Sequence, residues 1–153
     1  MEFSSRAVRA LVLLHDQRMR AFLPVWKEAE RKNVPLPRSE NPSYQSYGAL
    51  LRHVLGAGRG YLAWIAESLA LSDPGLPEAP PADRIGAEAD SYMEALLRAW
   101  GGSLAGVEQS RLRDKRYAWR SLEMYVETML EHAVVHPERH QLQLTELIRE
   151  AAR

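Results

Sequence analysis

Seven of the nine prolines in this 153-residue chain fall in two stretches: Pro35, Pro37 and Pro42, then four more between Ser72 and Pro81. Proline lacks a backbone donor and biases the preceding residue toward extended geometry, so both stretches read as loops. Outside them, apolar residues recur every three or four positions, and no segment alternates with period two for a strand's length. Four helical segments of about 20–30 residues with short connections leave one economical solution. The expected fold is all-α, a four-helix bundle forming a single domain over residues 1–153.

The first helix is capped by Ser4 or Ser5 and reaches about Lys32, with Val8, Leu11, Val12, His15, Met19, Phe22 and Trp26 in phase. Pro24 lies inside it and predicts a kink. Ser46 caps the second helix, whose stripe is Leu50, Leu51, Val54, Leu55, Tyr61, Leu62, Ile65 and Leu69. Asp83 starts the third, which Gly101-Gly102 ends unless Leu104, still in phase, extends it. Ser121 caps a long last helix running to about Ala151. Residues 103–120 receive no assignment. Gly56-Ala57-Gly58-Arg59-Gly60 falls within helical phase without a preceding strand, so it reads as close packing and not as a phosphate loop.

Composition narrows the chemistry. There is no cysteine, which excludes disulfides, thiolate metal sites, iron–sulfur clusters and cysteine nucleophiles. Any metal must be held by His, Asp or Glu, and the five histidines become the scarce resource. Twenty basic residues balance twenty acidic ones, which disfavours a general polyanion binder. Locally, Arg111, Arg113, Lys115, Arg116 and Arg120 against Asp114 give five minus one, or +4, with Tyr117 and Trp119 interleaved. That pattern can suit nucleic acid. The preferred reading is a solvated loop docking its two aromatics onto the bundle. Met1-Glu2-Phe3 opens with an acid and no run approaches a membrane span, so the expectation is a cytoplasmic chain with no membrane partner.

The last helix contains Glu131-His132-Ala133-Val134-Val135-His136-Pro137-Glu138-Arg139-His140, an H-x3-H-x3-H series. Residues four apart share a helix face, displaced by about 40° per step. On that projection His140 lies near the centre of the apolar stripe and His136 about 40° from it, while His132 falls at its edge. His136 and His140 are therefore expected inside the bundle, where imidazoles need partners for both nitrogens. A metal ion would satisfy them; so would a hydrogen-bond network. Spacing leaves both open. His53, in Leu50-Leu51-Arg52-His53-Val54-Leu55, is the best third ligand, although it projects roughly 130° from its own stripe. His15 is a core or supporting residue. Pro137 leaves the carbonyl of Ala133 without its helical donor. Glu131 and Glu138 project away from the core, and no catalytic base is assigned.

With a second-helix histidine in Leu50-Leu51-Arg52-His53-Val54-Leu55, then His132, His136, His140 and Gln143 in the last helix, the chain resembles the DinB-like superfamily, including its YfiT-type members. The likeness covers essentially the whole chain in helix order. Where the family often has Arg-Gly after the last histidine, this chain has Gln141-Leu142. The resemblance implies a divalent transition metal such as zinc, nickel or iron on His53, His136 and His140. It leaves His132, Gln143 and His15 as supporting residues, and implies a homodimer. Several members of the family are transferases or isomerases that use low-molecular-weight thiols. The implied activity is thus a metal-dependent S-transferase that activates a thiol cosubstrate for attack on a small-molecule electrophile. Metal-dependent hydrolysis is the nearest rival. A non-catalytic metal-binding dimer acting through partner binding is the alternative from another class.

Overall fold

The computed structural model describes residues 2–153. Four helices dominate it: α1 (Arg6–Arg31), α2 (Tyr47–Ser68), α3 (Ile85–Leu104) and α4 (Val126–Ala151). The fold is an all-α four-helix bundle. Each helix packs mainly against two neighbours, so the ring runs α1, α4, α2, α3 and back to α1, with α1 and α4 in the most extensive contact and a smaller diagonal contact between α1 and α2. No helix among the described residues is long and apolar enough to cross a membrane.

The amphipathic stripes make the core. Met19, Phe22 and Trp26 of α1 meet Leu50, Leu51, Leu55, Leu62 and Ile65 of α2, Leu96 and Trp100 of α3, and Val126, Met129 and Leu144 of α4. Two buried indoles also anchor backbone. Trp26 Nε1 donates to the Tyr47 carbonyl at 2.9 Å, and Trp100 Nε1 donates to that of Gly58 at 3.1 Å. Within the glycine-rich run of α2, Gly58 is where helices come close. A Cβ there would stand 3.1 Å from Leu96 Cδ2 and 3.8 Å from the His15 ring.

Helix starts follow side-chain capping where it exists. Ser5 accepts from the Val8 amide and Ser46 from that of Ala49, satisfying donors that the first turn leaves free. The third helix departs from expectation: it begins at Ile85, after a turn in which the Pro81 carbonyl accepts from Arg84 and Ile85, and Asp83 plays no capping part. It also continues through Gly101-Gly102, because extension buries Leu104. Pro24 and Pro137 both sit inside unbroken helices.

Two further corrections concern the loops. Pro42 does not simply extend the chain; it opens a short 3-10 turn (Pro42–Tyr44), with the Asn41 side chain accepting from the Ser43 amide. Ser121 is not a helix cap. It lies in the two-residue turn of a small antiparallel hairpin, β1 (Tyr117–Trp119) and β2 (Leu122–Met124), and α4 starts only at Val126. Three-residue strands are too short to display alternation. The hairpin docks on α2, where Trp64 Nε1 donates to the Ala118 carbonyl at 2.7 Å and the rings of Tyr117 and Trp119 pack edge-on against Trp64.

Candidate metal centre

Four of the five histidines gather where α2 and α4 meet. His136 and His140 lie on consecutive turns of α4, on the stripe that faces the core, and both are buried. His53 approaches from α2 and is half-buried. The three rings form a near-equilateral set, with centroids 4.8 Å apart for His53–His136, 4.9 Å for His136–His140 and 5.2 Å for His53–His140. Each offers one nitrogen, and the three nitrogens lie within 4.8 Å of one another. His132 is exposed at the rim; its Nε2 is 3.0 Å from the Tyr61 hydroxyl. His15 does not join the cluster. It is buried in the core, its ring tilted 41° against Trp100 with centroids 4.2 Å apart.

Hydrogen positions around the cluster follow from its partners. Nε2 of His136 and Nε2 of His53 are 3.0 Å apart, so one carries a hydrogen that it donates to the other's lone pair. His140 Nε2 is buried with no partner. On its other side, His140 Nδ1 faces the Tyr44 hydroxyl at a long 3.5 Å, and that hydroxyl donates to Gln143 Oε1 at 3.0 Å. With its own hydrogen committed to Gln143, the Tyr44 oxygen is free to accept from His140 Nδ1–H. That contact holds the tautomer in which Nε2 is a bare lone pair.

Electrostatics keep these rings neutral. Burial first, then the neighbouring His140, His53 and His132 and finally Arg139, lower the pKa of His136 to about 3. Burial, His53 and Arg139 outweigh the opposing Gln143 bond and bring His140 to about 4. Burial also lowers His53, assisted by Arg139 and Arg120. Neutral imidazole is the ligating form. Three convergent neutral rings, one with an orphaned and buried Nε2, could hold a metal ion. The histidines come from two packed helices, so the bundle preorganises them.

The supporting residues divide. Gln143 is in place behind His140, through Tyr44. His132 touches the cluster by ring contact with His136 at 5.9 Å. The carboxylates stay outside: Glu131 is exposed, and Glu138 pairs with Arg18 at 3.5 Å. Tyr44 had no signal in the sequence, because a lone tyrosine after Pro42 in an apparent loop carries no periodicity. Comparison of the chain with protein-family models, curated proteins and solved structures gives no match.

Proposed function

We propose that this chain is a divalent-metal-binding protein of the DinB-like kind, with His53, His136 and His140 as ligands. The convergence of their three nitrogens within 4.8 Å carries that reading. When bound, such an ion supplies a Lewis acid that polarises an oxygen or acidifies a thiol or water at neutral pH. The chain's own groups hold it with neutral donors, which leave its charge undiminished, and Tyr44 and Gln143 orient His140.

The surroundings favour a thiol over water as nucleophile. Glu131 is exposed and Glu138 is paired with Arg18, so neither is placed as a general base. An ordinary thiol loses its proton near pH 8.5 and needs far less help than water. With no cysteine in the chain, that thiol arrives as a cosubstrate. The proposed activity is transfer of a low-molecular-weight thiol to a small electrophile, by a chain expected to pair as a homodimer.

Metal analysis of the purified protein beside a His136→Ala/His140→Ala variant tests the ligands. Equal metal content in both refutes them. Turnover of L-cysteine with a haloarene electrophile, before and after chelation, tests the chemistry. Turnover indifferent to chelation removes the metalloenzyme. Bound metal without turnover across thiols and electrophiles leaves the non-catalytic bundle, whose mass by analytical ultracentrifugation then tests the dimer.

A further inference from the structure

One cavity, of about 330 Å³, has a proposed metal ligand in its wall. His53 lines it together with Arg52 and with Ala49, which at helical spacing shares a face of α2 with both. The 3-10 turn supplies Pro42 and Ser43, and the loop before α3 supplies Ala82. Both outer walls are tied down. Backbone meets backbone where Ala82 crosses α2, since a Cβ on Gly48 would stand 1.9 Å from the Ala82 carbonyl oxygen. The 3-10 turn is held by the Ser43 amide, which donates to the Asn41 side chain at 3.0 Å, and by Tyr44, whose hydroxyl donates to Gln143. The cavity therefore shares two elements with the histidine cluster: His53 itself, and the turn whose Tyr44 faces His140.

Arg52 is the one permanent charge in that wall. Among the described residues it has no carboxylate partner, whereas Arg18, Arg20, Arg84, Arg111 and Arg113 all do. Two helical turns on, Arg59 is already committed, its Nε donating to the Leu76 carbonyl at 3.0 Å. A second cavity, of about 220 Å³, also has Arg52 in its wall, together with Arg59 and Glu78. Glu78 leaves that compartment mixed in charge, so an anion is favoured in the compartment shared with His53. The rest of its wall, Pro42, Ala49 and Ala82, is small and apolar beside the Ser43 hydroxyl.

We propose that the cavity between the 3-10 turn and α2 is a ligand pocket for small organic carboxylates, with Arg52 taking the carboxylate and His53 marking the end where the metal sits. The guanidinium fork matches a carboxylate's two oxygens, and the apolar wall receives a short aliphatic body. The volume stands at the lower end of small-molecule pockets, which run from about 300 Å³ upward. This deepens the metal-centre reading, resting on it for the chemistry at the far end of the ligand, and names the charge class of the substrate.

The probes are 3-mercaptopropionate and its uncharged amide, 3-mercaptopropanamide, titrated into the full chain. Calorimetry reads binding to the zinc-loaded protein, and the ring-proton resonances of His53 read it in the metal-free protein. The wild type is expected to prefer the carboxylate by about three- to tenfold, the range for a charge-assisted pair at a partly exposed site. Arg52→Gln should bring that ratio near one, and because Arg52 is exposed the variant should melt as wild type does. Arg52→Lys should keep part of the preference, having the charge without the fork. Ala49→Leu fills the cavity and leaves Arg52 in place, so it too should erase the preference. A ratio near one in the wild type, or a wild-type ratio retained in either Arg52→Gln or Ala49→Leu, would overturn the pocket while leaving zinc uptake untouched. An Arg52-dependent preference in a chain that takes up no zinc sinks the metal reading alone and leaves the pocket standing.

Discussion

His15 Nδ1 lies 3.0 Å from the carbonyl oxygen of Ala133, the one acceptor in α4 that Pro137 deprives of a helical donor. The imidazole of α1 replaces the missing amide of α4. Because the carbonyl can only accept, His15 must carry its hydrogen on Nδ1. Removing the ring by His15→Leu leaves a buried carbonyl unpaired and should destabilise the protein by about 2 kcal/mol. Pro137→Ala restores an N–H to that carbonyl, so in the His15→Leu background it should recover much of the loss. A double-mutant cycle by urea denaturation is expected to give a coupling of about 1 kcal/mol. Additive effects would show that the two residues do not serve the same oxygen.

Burial lowers the His15 pKa to about 4 against the opposing Ala133 bond and the charge of Asp16. An unfolded histidine near 6.5 binds a proton that the folded one refuses. Stability contributed this way is complete above pH 6.5 and is lost as pH falls from there toward 4, by roughly 3 kcal/mol for His15 alone. His136, lowered to about 3, and His140, lowered to about 4, act with the same sign. Urea midpoints measured with chelator present at pH 7, 5.5 and 4.5 should fall steadily. A flat profile over that range would mean that these rings are not buried as neutral groups.

Two glycines of α2 should respond oppositely to alanine. A Cβ on Gly48 would stand 1.9 Å from the Ala82 carbonyl oxygen and 2.8 Å from its carbon, and backbone cannot swing aside. Gly48→Ala is expected to destabilise by about 3 kcal/mol by prying the loop before α3 off the start of α2. Gly60 meets nothing within 4 Å of the same notional atom. Gly60→Ala should therefore gain about 0.5–1 kcal/mol from helix propensity alone. Thermal melts of the two variants decide it, and a shift in the same direction for both would contradict this packing.

What could be read ahead of the structure depended on period. The buried stripes of α1 and α2, the serine caps of those two helices, and the inward face carrying His136 and His140 were legible, because helical spacing projects onto faces without tertiary information. The orphaned Ala133 carbonyl was legible too, but its donor was not, since His15 stands 118 positions away in sequence. His53 shows why projection alone under-reads sites. Far from the centre of its own helix's stripe, it is drawn half inward by facing α4. The hairpin over Tyr117–Met124 stayed hidden because its strands are three residues long and its turn places Arg120 where a glycine would have announced it.

Tyr44 supplies the most direct test of how the cluster is tuned. Its hydroxyl donates to Gln143 and stands ready to accept from His140 Nδ1, leaving Nε2 bare and turned from solvent. Tyr44→Phe deletes that acceptor while keeping the ring. His140 then keeps only Gln143 to fix its tautomer, and part of the population places hydrogen on Nε2, which opposes ligation. Loss of such an orienting contact typically weakens metal affinity by about 10–100-fold. At a long 3.5 Å the contact is a weak one, so the lower end of that range is expected, with little change in metal-free melting temperature because the hydroxyl is only part-buried. Competition against a chromophoric chelator would measure it, with Gln143→Leu expected to shift affinity in the same direction. Zinc affinity unchanged in Tyr44→Phe, in a protein where His136→Ala abolishes uptake, would mean that Tyr44 merely packs against His140 and does not set its tautomer.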